Sequence, residues 1–99
     1  MVTKELGMKL TSIPVQNEEI YYQKIENEGL LIHGQKGKVR TVNLVGDFIW
    51  NLIDGHKSVA QIIEQVKSEF SYQVDTIKSD VFHYLQELSD RSLIYLREE

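Results

Sequence analysis

The sequence predicts an α+β fold, winged-helix-like, in which a three-stranded antiparallel sheet is followed by three helices. Between residues 18 and 43, short alternating or apolar runs are split by turn residues, as in strands. After Asn43 the apolar residues recur every three or four positions, as in amphipathic helices. The breaks between the strand-like runs are short enough to be hairpin turns, so consecutive strands should pair as a meander. With 99 residues the chain can bury one modest core, which means one domain. Residues 1–17 read as an extended N-terminal lead-in and residues 18–97 as the domain.

The lead-in holds the only proline, Pro14, whose ring keeps Ile13 out of the helical region. "EIYYQKI" (19–25) mixes Tyr and Ile as strands do, and "ENEG" (26–29) breaks it. "LLIH" (30–33) is the second strand. "GQKG" (34–37) is a turn with Gly at each end, and "KVRTVN" (38–43) is the third strand, with β-branched residues at 39, 41 and 42.

Asn43 is a good N-cap for a first helix whose stripe is Val45, Phe48, Ile49, Leu52 and Ile53. Asp54–Gly55 stops that helix, since Gly55 can take the left-handed conformation. Ser58, with Gln61 three residues on, has the form of a capping box for a second helix striped by Val59, Ile62, Ile63, Val66 and Phe70. Asp75 is the expected cap of a third helix, with Val74, Ile77, Val81, Tyr84, Leu85 and Leu88 as its stripe. "SLIYL" (92–96) is a short extended tail. Gly46 sits inside the first helix, where it costs about 1 kcal/mol against Ala, so close backbone packing is expected there.

Composition excludes several classes of function. There are no cysteines, hence no disulfides and no thiolate metal site. No apolar run approaches the roughly 18 residues of a membrane span, and "MVTKELGMKL" lacks a signal peptide's apolar core, so a cytoplasmic protein away from membranes is expected. Starting at Met1 and ending charged, the chain is expected to stand alone. His33, His56 and His83 have no metal-ligand spacing, and neither a phosphate loop nor a nucleophile elbow is present. No enzyme, no metal and no cofactor is the expectation, which leaves a binding module.

The helical half is acidic: Lys67, Lys78 and Arg91 stand against Glu64, Glu69, Asp75, Asp80, Glu87 and Asp90. That opposes nucleic acid, because phosphate contacts supply most non-specific affinity. A small winged-helix DNA-binding regulator is the alternative reading, and a scaffold-like interaction protein a third.

In a meander the third strand has an open edge, whose free N–H and C=O groups could pair with an incoming strand. Lys38 and Arg40 there can serve as edge protection, or can attract an acidic peptide. At 100° per residue, Ile77, Val81, Tyr84 and Leu88 face the core, with Leu85 and Lys78 to one side and Phe82 further round on that same side. Phe82 either packs under the lead-in or the third strand, or lines a groove between that strand and the third helix.

The run "VNLVGDFIWNLIDGHKSVAQIIEQV", with Asn43, Gly46, Ile49, Trp50, Leu52, Asp54, Gly55 and Ser58 at its ordered positions, resembles the PqqD-like proteins. "DVFHYLQELSDRSLI" extends the resemblance through Asp80, Val81, Tyr84, Leu85, Leu88, Leu93 and Ile94, so that it covers about residues 28–96. The family usually has Gly where this chain has Ser92, which bears on how the third helix ends. The resemblance implies a stand-alone RiPP recognition element. Such a module, without catalysis of its own, binds the leader segment of a ribosomally made precursor peptide and presents it to a modifying enzyme. It implies backbone pairing along Lys38, Val39, Arg40, Thr41 and Val42, and a groove lined by Lys78, Val81, Phe82 and Leu85. The implied enzyme partner is a radical SAM enzyme, or the leader peptidase and cyclase of a lasso pathway. With no leader present, the same edge could pair two copies as a homodimer.

Overall fold

The structure is a computed structural model that describes residues 7–26, 28–70 and 74–98, with the side chains of Lys38, Val39, Val74 and Asp75 also outside the description. Its elements run β1 (Ile13–Gln16), β2 (Ile20–Ile25), β3 (Glu28–His33), β4 (Gly37–Val42), α1 (Leu44–Leu52), α2 (Val59–Glu69), α3 (Val74–Asp90) and β5 (Ile94–Arg97). The meander and the three helices are as expected. β4 is the strand predicted as the third.

The sheet is ordered β2-β3-β4 and is antiparallel throughout. In its last hairpin Leu31 faces Arg40 and Ile32 faces Lys38, so Val39 is the extra residue of a β-bulge. The turn before β4 is organised by His33, whose Nδ1 accepts from the backbone N–H groups of Gln35 (3.1 Å) and Lys36 (3.2 Å). Its Nε2 lies 3.1 Å from Glu19.

The lead-in and the tail, read separately from the sequence, form a second sheet. β1 pairs antiparallel with β5, with Ile13 opposite Arg97 and Gln16 opposite Ile94. The lead-in also closes the start of α2: Val59 N–H donates to the Ser12 carbonyl (2.8 Å) and Ala60 N–H to that of Leu10 (3.0 Å). Those are two of the four donors a helix start leaves unpaired. The Ser58–Gln61 capping box, formed in both directions, supplies the rest of the cap. Fully buried Ser12 donates through Oγ to Glu98 (2.6 Å), and buried Asn17 donates to the Ser92 carbonyl (2.9 Å). Polar groups buried this way are tolerated because they are hydrogen-bonded.

Asn43 caps α1, its side chain accepting from Gly46 N–H at 2.9 Å. Asp75 is not the cap of α3: that helix begins at Val74, which puts Asp75 in its first turn, and the residues before Val74 lie outside the description. The far end of α3 closes on Ser92 with φ +62, while Ser92 N–H donates to Ser89 and Leu93 N–H to Leu88. These are the two bonds of a Schellman ending, made here on a serine rather than a glycine. One core joins the helices to the inner face of the larger sheet, through Leu31, Val42, Ile49, Trp50, Ile62, Leu85, Leu88 and Ile94. Each such side chain contributes about 1.5–3 kcal/mol by leaving water. Among the described residues no helix is long and apolar enough to cross a membrane.

Candidate functional site

β4 is bonded to β3 along one edge, and none of the described strands covers the other. Beside that free edge stand the start of α1 and one flank of α3. Arg40 links strand to helix. Its Nη1 and Nη2 donate to the two carboxylate oxygens of Glu87 at 2.8 and 3.2 Å, and its guanidinium lies 5.0 Å from the centre of the Tyr84 ring. A forked charge-assisted pair combined with a cation–π contact fixes the side chain firmly. The Glu87 hydrogen bonds raise the pKa of Arg40 and hold the Glu87 carboxyl below its ordinary value. Burial raises the Tyr84 hydroxyl against the opposing pull of Arg40.

Tyr84 reaches α1 at Gly46. A Cβ built there would lie 2.6 Å from the Tyr84 hydroxyl and 2.7 Å from Val42 Cγ1. The expected close packing is therefore real: glycine at 46 lets α1 approach both β4 and α3. A second polar cluster anchors the sheet behind this contact. The Tyr22 hydroxyl donates to Asp47, which also pairs with Lys24 at 3.2 Å. Burial and then the Asp47 contact push the Tyr22 hydroxyl far above its ordinary range, and the same hydrogen bond lowers Asp47.

Two clefts flank Arg40. The larger, about 630 Å³, lies at the end of β4 and is lined by Ile25, Glu26, Glu28, Arg40, Thr41, Asn43, Leu44 and Tyr84. The smaller, about 260 Å³, lies between the start of α1 and α3, lined by Arg40, Asn43, Val45, Gly46, Ile49, Asp80, Val81 and Tyr84. Arg40, Asn43 and Tyr84 belong to both.

The residues expected at the site are not brought onto one surface. Lys38 and Val39 contribute backbone to β4, while their side chains are outside the described residues. Thr41 is exposed, whereas Val42 is 1% exposed and serves the core. Val81 lines the smaller cleft. Leu85 is fully buried and presents no surface. Phe82 and Lys78 line a different cleft, of about 400 Å³, with Leu10, Ser79 and His83. Of the two placements open to Phe82, the structure takes the one beside the lead-in. The reason is rotational: the flank of α3 that meets β4 carries Asp80, Tyr84 and Glu87, on the other side of the core stripe from Lys78 and Phe82. Tyr84 and Glu87, which sequence reasoning did not place beside this strand, are the α3 residues that meet Arg40. Their i, i+3 spacing on the helix and the complementary charge of Arg40 were the available signal.

Comparison with known proteins fits this geometry. The family model described as Coenzyme PQQ synthesis protein D (PqqD) matches residues 28–94. The chain belongs to the PqqD family. The match runs from the first residue of β3 to the first of β5, so in this PqqD-family chain it takes in both β4 and α3. A PqqA binding protein of Gluconobacter oxydans (strain 621H) is 38% identical over 47 residues, 48% of this chain and 49% of that protein. The chain thus spans about half the length of the curated relative it matches. Among solved structures, TbiB1 in complex with the TbiA(beta) leader peptide is similar with a TM-score of 0.69 at 25% identity. That likeness covers 81% of this chain and 93% of the other.

Proposed function

We propose that this PqqD-family protein is a RiPP recognition element, a non-catalytic module that binds the leader segment of a ribosomally made precursor peptide and presents it to a modifying enzyme. The observation that carries this reading is the free edge of β4 lying beside clefts closed by α3. An extended leader would add as a further strand there, with main-chain bonds giving affinity and alternate side chains entering the clefts. The names of the two relatives support it, one a PqqA binding protein and the other solved with a leader peptide. The reading places the protein in the cytoplasm, with a radical SAM enzyme or a lasso-pathway peptidase and cyclase as partner. It also allows two copies to pair through β4 when no leader is present.

The test is titration of isotopically labelled protein with the leader peptide of its precursor. Amide shifts should concentrate on Gly37–Val42 and on the Asp80, Tyr84 and Glu87 flank of α3. Shifts confined to the Leu10–Phe82 cleft would overturn the β4 assignment, and absence of binding would overturn the function. Given a Val39 N–H that faces the open edge, Val39→Pro should weaken leader binding at least tenfold while leaving the fold intact, because proline is tolerated at bulges and edges but cannot donate to a ladder.

A further inference from the structure

Arg40 is less fully used than its ion pair suggests. Its two terminal nitrogens are taken by Glu87, yet its Nε is buried and has no hydrogen-bond partner among the described residues. Buried donors are nearly always paired, so this N–H marks a place where an acceptor belongs. The direction of Arg40 is set by register. It lies opposite buried Leu31, two residues from buried Val42, and so faces inward toward the Tyr84 ring. In a strand added to β4, the residue directly across from Arg40 projects to that same face, with Cβ atoms about 4.5–5.5 Å apart. Its side chain would enter beside the guanidinium, which lines both clefts.

From this we infer that the leader carries an aspartate or glutamate across from Arg40, and that its carboxylate takes the guanidinium over from Glu87. The inference rests on strand addition at β4. A carboxylate suits the position because the guanidinium offers planar N–H pairs, Nε included, that two carboxylate oxygens can accept together. Glu87 can be displaced because its side chain is 41% exposed, so its carboxylate regains water while the leader's carboxylate replaces it in the same kind of fork. Arg91 stands 3.4 Å from the same Glu87 carboxylate and keeps a cation beside it after the exchange. Position along the groove is selective too. The larger cleft carries Glu26 and Glu28 and the smaller one Asp80, so a leader acid displaced from Arg40 meets like charge. Glu87 then acts as an internal stand-in for the ligand, keeping Arg40 aimed and neutralised until the leader arrives.

The experiment measures affinity for the synthetic leader peptide and for versions in which each Asp or Glu in turn becomes Asn or Gln, against wild-type protein, Arg40→Gln and Glu87→Gln. One acid-to-amide change should weaken binding about tenfold, the scale of a charge-assisted fork, and that difference should vanish on Arg40→Gln. Glu87→Gln should tighten the acidic leader several-fold and leave the amide version unmoved. Weaker binding on Glu87→Gln, with the amide spectrum of the variant unchanged, would show that Glu87 only scaffolds Arg40, and would overturn the exchange. Equal affinity for every amide version, or a leader with no acidic residue in the bound segment, would overturn the inference and leave strand addition standing. Failure of the unaltered leader to bind wild-type protein would remove the underlying reading and the inference with it.

Discussion

Two small residues show how much single positions decide. Gly46→Ala gains about 1 kcal/mol of helix propensity but meets the Tyr84 hydroxyl and Val42 at contact distances no real Cβ adopts. Overpacking of this kind costs about 1–3 kcal/mol, so a net loss of stability is expected in urea denaturation. The loss should be smaller on a Tyr84→Phe background, which removes the nearer clash. Ser92 holds φ +62, a region disfavoured by about 1–2 kcal/mol for residues with a Cβ. Ser92→Gly should relieve that strain and, after the extra chain entropy of glycine, raise stability by about 0.5–1 kcal/mol. A lowered melting temperature for Ser92→Gly would show that the Schellman ending of α3 is not strained.

Among the elements, the connection from α1 to α2 is an electrostatic joint. The Asp54 carboxylate holds Lys57 at 2.7 Å and accepts from the backbone N–H groups of His56 and Lys57. The Lys57 contact, then the His56 N–H, lowers its pKa to about 2. A depressed carboxylate stabilises the fold above its unfolded value of about 3.9, and that contribution fades as pH falls toward the folded value. Asp54→Asn should therefore lose less stability than wild type between about pH 4 and pH 2, measured as melting temperature against pH. The edge strand β4 shows a different economy. Its bulge at Val39 separates Arg40, committed inward, from the hairpin turn, so one short strand keeps an edge that no described strand covers and sends a side chain to the core-side clefts.

For the whole molecule, the arrangement of the chain ends matters most. The lead-in supplies β1, two carbonyl acceptors for the start of α2, and the buried Ser12 and Asn17. A chain starting at Glu18 would leave β5 unpaired and the α2 donors without those partners, each loss worth about 1–3 kcal/mol where the group stays buried. Such a truncation should melt at least 10 °C lower than the full chain by circular dichroism, or fail to fold. A truncated chain with unchanged melting temperature would make residues 18–97 a self-sufficient unit. The same ends brace the third helix: β5 packs against α3, and β1 pairs with β5.

What the sequence determined by itself is local and periodic. The alternation in 19–43, the caps at Asn43 and Ser58, the stop at Asp54–Gly55 and the family resemblance over most of the chain all reside in neighbouring residues. The meander followed from turns too short for any other connection, and with it the free edge of β4. Tertiary structure alone decided the pairing of β1 with β5, because two four-residue strands some 80 positions apart carry no local sign of each other. It alone decided which flank of α3 faces β4. Periodicity locates a core stripe but is symmetric about it, so Lys78 and Phe82 on one side and Asp80, Tyr84 and Glu87 on the other are equally eligible from sequence. The packing of Tyr84 over Gly46 and the reach of Arg40 to Glu87 break that symmetry, and with it the choice of side chains beside the edge strand.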